Sequence, residues 1–204
     1  MHFDREKIKQ QLLEFTIQGV EKFLKEHPEL EFYAFAYDCN AEYAEVNLCL
    51  NTQDQFKKTL HQYQSNEFSD HYQTIEQINT LKFNTGDWKY QCFDTIYILD
   101  DPQLNDIYGE LPEDDEQSKN EFIESVMILF SEAILEFTQT DTYKAIPKTQ
   151  DFIAYAMDHD ENFTDIIPRM LSLTRHTLID DQLKYAELND KFKMYTSITP
   201  NDAD

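Results

Sequence analysis

EFYAFAYD (residues 31–38) and YAEVNLCL (residues 43–50) are the two stretches whose reading decides the fold. In the first, Phe32, Ala34 and Ala36 alternate with Tyr33, Phe35 and Tyr37, and a period of two reads as a buried strand. Asp38-Cys39-Asn40-Ala41-Glu42 supplies turn residues, and the second stretch alternates again. The pair is therefore expected to form a hairpin.

Working outward, Asp4 can cap a helix that starts near Arg5 and places Ile8, Leu12, Phe15, Gly19 or Val20, and Phe23 on one face. It should stop before His27-Pro28, because a residue ahead of proline is pushed out of the helical region. Past the hairpin, Asn51 and Thr52 offer caps to a helix over about Gln53 to Gln64, while Thr74 to Phe83 fits no single pattern. Asn84-Thr85-Gly86-Asp87 is a turn in which Gly86 is expected to take a positive φ, with Trp88 anchoring a strand through Phe93. Ser118-x-x-Glu121 reads as a capping box opening a long helix, with Phe122, Val126, Leu129 or Phe130, Ala133 and Phe137 on its core side. Phe152 to Met157 is a further strand, running into the turn Asp158-His159-Asp160. Helical patterns follow around Phe163 to Leu173, interrupted near Pro168, and around Asp181 to Phe192.

The expected architecture is a single α+β domain over residues 1–198 with a frayed acidic tail over 199–204. Its core is a mainly antiparallel sheet of about four to six strands, packed with a long N-terminal helix and a long central helix.

The 204 residues include 15 Phe and 12 Tyr, enough large side chains for a real core, and only 3 Gly, too few for glycine-built phosphate loops. No cofactor-binding motif is present. Against 17 basic residues stand 40 acidic ones, a formal charge of −23 that disfavours nucleic acid and anionic membrane as partners. No apolar run is long enough to span a bilayer and the first residues lack a signal peptide's apolar core, so cytoplasmic residence is expected. Cys39, Cys49 and Cys92 are an odd number at wide spacing, which fits neither a disulfide framework nor a zinc site, and they read as reduced and mostly buried.

Asp158-His159-Asp160 combines carboxylates with an imidazole, but neighbours on a strand point to opposite faces, so only Asp158 and Asp160 can converge; no metal site is assigned. Trp88, at the end of its tight turn, and the two aspartates Asp158 and Asp160 are candidate ligand contacts. The stronger candidate is an acidic run. From Tyr90 to Ser118 there is no Lys, Arg or His, while Asp94, Asp100, Asp101, Asp106, Glu110, Glu113, Asp114, Asp115 and Glu116 accumulate. Surfaces usually mix signs, so an uncompensated run, read here as an exposed loop, is a candidate partner-binding face.

The order of a helix, FYAFAYDCNAEYAEVNLCLNT, LKFNTGDWKYQCF, a long helix, and an apolar strand before an acidic turn resembles the bacterial family known as domain of unknown function 4303. The resemblance spans roughly residues 5 to 175, and its carrying motifs, Phe32 to Phe35 and Asn84 to Trp88, are structural. It implies a small single-domain protein of the kind found among immunity proteins, and it carries over no catalytic residue. The expected function is non-catalytic: binding and neutralising a cognate toxin domain, a basic nuclease-like effector, through the acidic surface. The competing expectations are a small-ligand or metal-dependent enzyme with a cleft near Trp88 and Asp158, and a regulatory or scaffold module.

Overall fold

The computed structural model of the chain describes residues 4–65, 71–100, 109–111, 115–161, 163–177 and 188–191. Helix α1 (Arg5–Glu26) opens where the Asp4 carboxylate accepts the Lys7 amide at 3.1 Å, and it ends at His27, ahead of Pro28. Ile8, Leu12, Val20 and Phe23 are its buried apolar stripe.

The sheet has four strands, β1 (Phe32–Asn40), β2 (Glu45–Asn51), β3 (Tyr90–Tyr97) and β4 (Lys148–Asp158), in the order β3-β2-β1-β4. That number is at the low end of expectation. β1 pairs antiparallel with β2, and β2 with β3, whereas β4 runs parallel to β1. A parallel partner requires a crossover, and helices α4 (Glu116–Phe137) and α5 (Asp141–Ala145) supply it.

Both faces of the sheet are covered. α1, α4 and α6 (Phe163–Thr177) lie on one; α2 (Gln53–Gln64) and α3 (Ile75–Phe83) lie on the other. Residues 32 to 39 of β1 are accordingly all buried. The simple alternation breaks at its start. Phe32 meets Phe23 of α1, Tyr33 turns to Phe56 and Phe83 on the opposite side, and Phe35 and Tyr37 return to Phe137 and Thr16. The register with β4 shifts between Phe32 and Ala34, which is why Tyr33 and Phe35 do not share a face.

Several local expectations are corrected. The cap of α4 is Asp115, whose carboxylate takes both the amide and the hydroxyl of Ser118, so the helix starts before the Ser118 capping box. Thr74 to Phe83 resolves into α3, closed at its start by reciprocal Thr74 and Gln77 hydrogen bonds. Gly86 has no positive φ; Asn84 Oδ1 accepts its amide at 3.1 Å and the segment closes as a 3-10 turn. α6 continues through Pro168. The tail over 199–204 lies outside the described residues, as does most of the helical pattern from Asp181 to Phe192, of which only 188–191 are described.

Candidate functional site

Because β1 and β4 are parallel, their C-terminal ends finish side by side, with Cys39 opposite Asp158. Alternation then sends successive side chains to opposite faces. Asp158 and Asp160 turn toward α4 and α6, while His159 turns to the other side and meets Asp38.

On the helical side the strand ends open into a groove of about 660 Å³. Ile123, Met127, Ile128 and Leu173 form its apolar lining, and Glu124, Asp158, Asp160 and Glu161 bring four carboxylates. Among the described residues that line the groove, the one cation is committed elsewhere. Arg169 clasps Glu161 through both carboxylate oxygens, donates to the Ala156 carbonyl at 2.9 Å and to Ser131 Oγ at 3.1 Å, and so ties α6 to β4 and α4. Asp158 accepts the Ala41 amide at 3.0 Å, which fixes its carboxylate at the strand end. Among the described residues, Glu124, Asp158 and Asp160 have no ion-pair partner.

On the opposite side Asp38 is 3 % exposed. It accepts from Thr85 Oγ1 at 2.8 Å and lies 3.2 Å from Nδ1 of His159, a hydrogen bond that raises the imidazole above its ordinary value. Beside it the thiols of Cys49 and Cys92 converge, so that Asp38, Cys49 and Cys92 each place one donor atom within 4.8 Å of the others. A bulge brings this about. Leu48 pairs with Asp94 and Leu50 with Tyr90, leaving Gln91, Cys92 and Phe93 opposite the single Cys49. Cys92 takes φ 48°, a left-handed value unusual for a side-chain-bearing residue, and its amide donates to Cys49 Sγ at 3.2 Å. Burial pushes the Cys49 thiol well up, while the Cys49 hydrogen bond draws Cys92 down to about 7. Cys39 is buried, its thiol pushed up by that burial.

The acidic run does not form one loop. Asp94 sits within β3, Asp100 ends a 3-10 turn, Glu110 is exposed, Asp115 caps α4 and Glu116 is that helix's first residue. Asp101, Asp106, Glu113 and Asp114 lie outside the described residues. The end of the run flows into α4, whose following turns carry Asn120, Ile123 and Glu124 into the groove wall. Trp88 is not at a cleft with Asp158. It is 2 % exposed, packs against Tyr33 and Tyr155, and donates Nε1 to the Lys82 carbonyl at 2.9 Å, all on the α3 side of the sheet.

A family model described as a domain of unknown function, DUF4303, matches residues 12–173, a span that covers the whole sheet, the groove and the thiol cluster. The chain belongs to the DUF4303 family. No curated protein and no solved structure matches it. No helix among the described residues of this DUF4303 chain is long and apolar enough to cross a membrane.

Sequence reasoning missed Glu124, Glu161, Arg169 and the Asp38 cluster. Arg169 left a usable signal: it falls three residues after Ile166 and four before Leu173, a charge on the core side of an amphipathic helix, which calls for a buried partner. The convergence of Cys49 and Cys92 left none, since it depends on a bulge with no glycine to mark it.

Proposed function

We propose that this DUF4303 protein is a non-catalytic, immunity-type inhibitor that holds a cationic toxin domain against the groove between α4 and α6. One observation carries the reading: three carboxylates without a paired cation rim an apolar floor, and the acidic run leads into the same helix. A Lys or Arg from a partner fits such a place twice over, its aliphatic stem on Ile123 and Leu173 and its charge among Glu124, Asp158 and Asp160. The overall charge of −23 adds long-range attraction and fast, salt-sensitive encounter. Enzymes that act on nucleic acid need basic surfaces to hold phosphate, so a nuclease-like effector is the partner whose chemistry the groove complements.

Co-expression with the basic effector domains encoded in the same genome tests this. Growth rescued by the wild-type chain, and lost with Glu124→Lys/Asp160→Lys, supports the groove as the docking face. Reversing Glu113, Asp114, Asp115 and Glu116 to Lys should slow association of the purified pair and flatten its salt dependence. Rescue that survives the groove reversal, or no rescue by any such domain, rejects the reading.

A further inference from the structure

Asp38, Cys49 and Cys92 come from three neighbouring strands, β1, β2 and β3, and present a carboxylate and two thiols to one point on the face opposite the groove. We infer that this trio is a binding site for a thiophilic divalent cation of the zinc class, clamping the edge strand β3 to the centre of the sheet. The inference is independent of the toxin-binding reading.

The donor set selects the ion. Two sulfurs with one carboxylate suit Zn²⁺, whereas Mg²⁺ and Ca²⁺ require shells of oxygen. Distance permits it. Zinc–sulfur bonds of about 2.3 Å at a tetrahedral angle put two ligand sulfurs about 3.8 Å apart. The three donor atoms already lie within 4.8 Å of one another. Closing the remaining gap of about 1 Å or less needs small side-chain rotations and no backbone movement.

The surroundings hold the donors in place. Thr85 Oγ1 anchors one Asp38 oxygen at 2.8 Å and His159 stands 3.2 Å from the other, the outer-shell support that orients a ligating carboxylate. The Cys92 amide already donates to Cys49 Sγ at 3.2 Å, a bond that stabilises negative charge on that sulfur. Cys92 is exposed, so an ion has a path in, while Asp38 and Cys49 are buried and shield it once bound. Asp38 and Glu45 place negative charge beside the thiols, which favours a bound cation.

The test is titration of the full, reduced chain with Zn²⁺, and with Co²⁺ as a spectroscopic stand-in. Expected are one ion per chain, sulfur-to-cobalt charge-transfer absorption, and a melting temperature raised by Zn²⁺ and restored by a chelator. Cys92→Ser alters an exposed side chain and should fold, yet it should weaken Zn²⁺ binding by at least about a hundredfold and abolish the absorption band. Thr85→Val should weaken binding by about ten- to a hundredfold, the usual effect of losing an outer-shell hydrogen bond. Cys39→Ala should leave both readouts unchanged. The inference is overturned if the reduced wild-type chain takes up no Zn²⁺, if cobalt binds without the sulfur band, or if Cys92→Ser binds as tightly as wild type. Zinc uptake that survives Cys92→Ser but disappears in Glu124→Lys/Asp160→Lys would place the ion in the groove and overturn it equally.

Discussion

Replacing Arg169 by Met tests whether one guanidinium holds the groove together. The side chain joins three elements: Glu161 in the turn after β4, the Ala156 carbonyl in β4 and Ser131 in α4. Its own exposure is 19 % and that of Glu161 is 17 %, so the pair is mostly out of water. Met fills similar volume but leaves Glu161 charged and without its partner. Removing one member of a buried pair costs about 3–5 kcal/mol, and the remaining access of water to Glu161 points to the lower end, about 3 kcal/mol. The loss should spread to the Asp158 amide, which donates to Glu161 Oε2 at 3.2 Å. Arg169→Met/Glu161→Leu removes the stranded charge and should recover most of the deficit, giving a coupling energy of at least about 1.5 kcal/mol. Urea unfolding of the four proteins at pH 7, read from midpoints at constant slope, measures it. A single-variant cost below about 1 kcal/mol, or strict additivity in the double variant, would refute the clasp and with it the rigidity of the groove.

Gly19 faces the sheet from α1, and a Cβ there would stand 2.7 Å from Leu48 Cδ1 and 3.3 Å from Asp94 Oδ2. Alanine gains about 1 kcal/mol of helix propensity, but overpacking against the fully buried Leu48 costs about 1–3 kcal/mol. Gly19→Ala should therefore destabilise by a net of about 1 kcal/mol, and a stabilised variant in thermal melts would contradict the close contact. For Asp151, burial alone would raise the carboxyl, but hydrogen bonds from Thr149 and Lys82 outweigh it and hold the group below its ordinary value. A carboxylate depressed in the folded state contributes stability above the unfolded value of about 3.9 and loses it as pH falls through the folded one. Asp151→Asn should thus show its full deficit at pH 7 and a shrinking one below about pH 4 in paired urea melts; a deficit that does not change with pH would reject the assignment.

What was legible in the sequence is what local pattern controls. The stripe of α1, the hairpin and the strand before Asp158 were each written in periodicities of 3.6 or 2, and the caps at Asp4 and Thr52 are single residues with one geometric job. Less legible was anything set by pairing. The register shift beside Tyr33 and the bulge at Cys92 are responses of one strand to its neighbour, and Cys92 adopts its left-handed φ without a glycine to announce it. The acidic run could be counted but not placed, because a charge run has no periodicity: Asp94 proved to be part of a strand and Asp115 a helix cap. Asp158 and Asp160 could be put on a common side by alternation, yet their groove required α4 and α6 to arrive from elsewhere.

The ends of β1 and β4 thus carry two acidic sites on opposite faces of one sheet, which makes the two proposals separable by experiment. Asp158 and Asp160 face the groove, while Asp38 and His159 face the thiols, although Asp38 and Cys39 are chain neighbours and Cys39 stands opposite Asp158. If a partner docks in the groove through cationic side chains, Cys92→Ser should leave its association rate and salt dependence unchanged, since the substituted atom lies across a closed backbone ladder. If instead the thiol cluster and the groove act as one device, zinc should alter partner affinity, and partner should alter zinc affinity by the same factor. Measuring the partner's affinity with and without Zn²⁺ decides between these. Equal values keep the sites as two independent consequences of parallel strand ends, and unequal values make the β1–β4 pair the element that couples them.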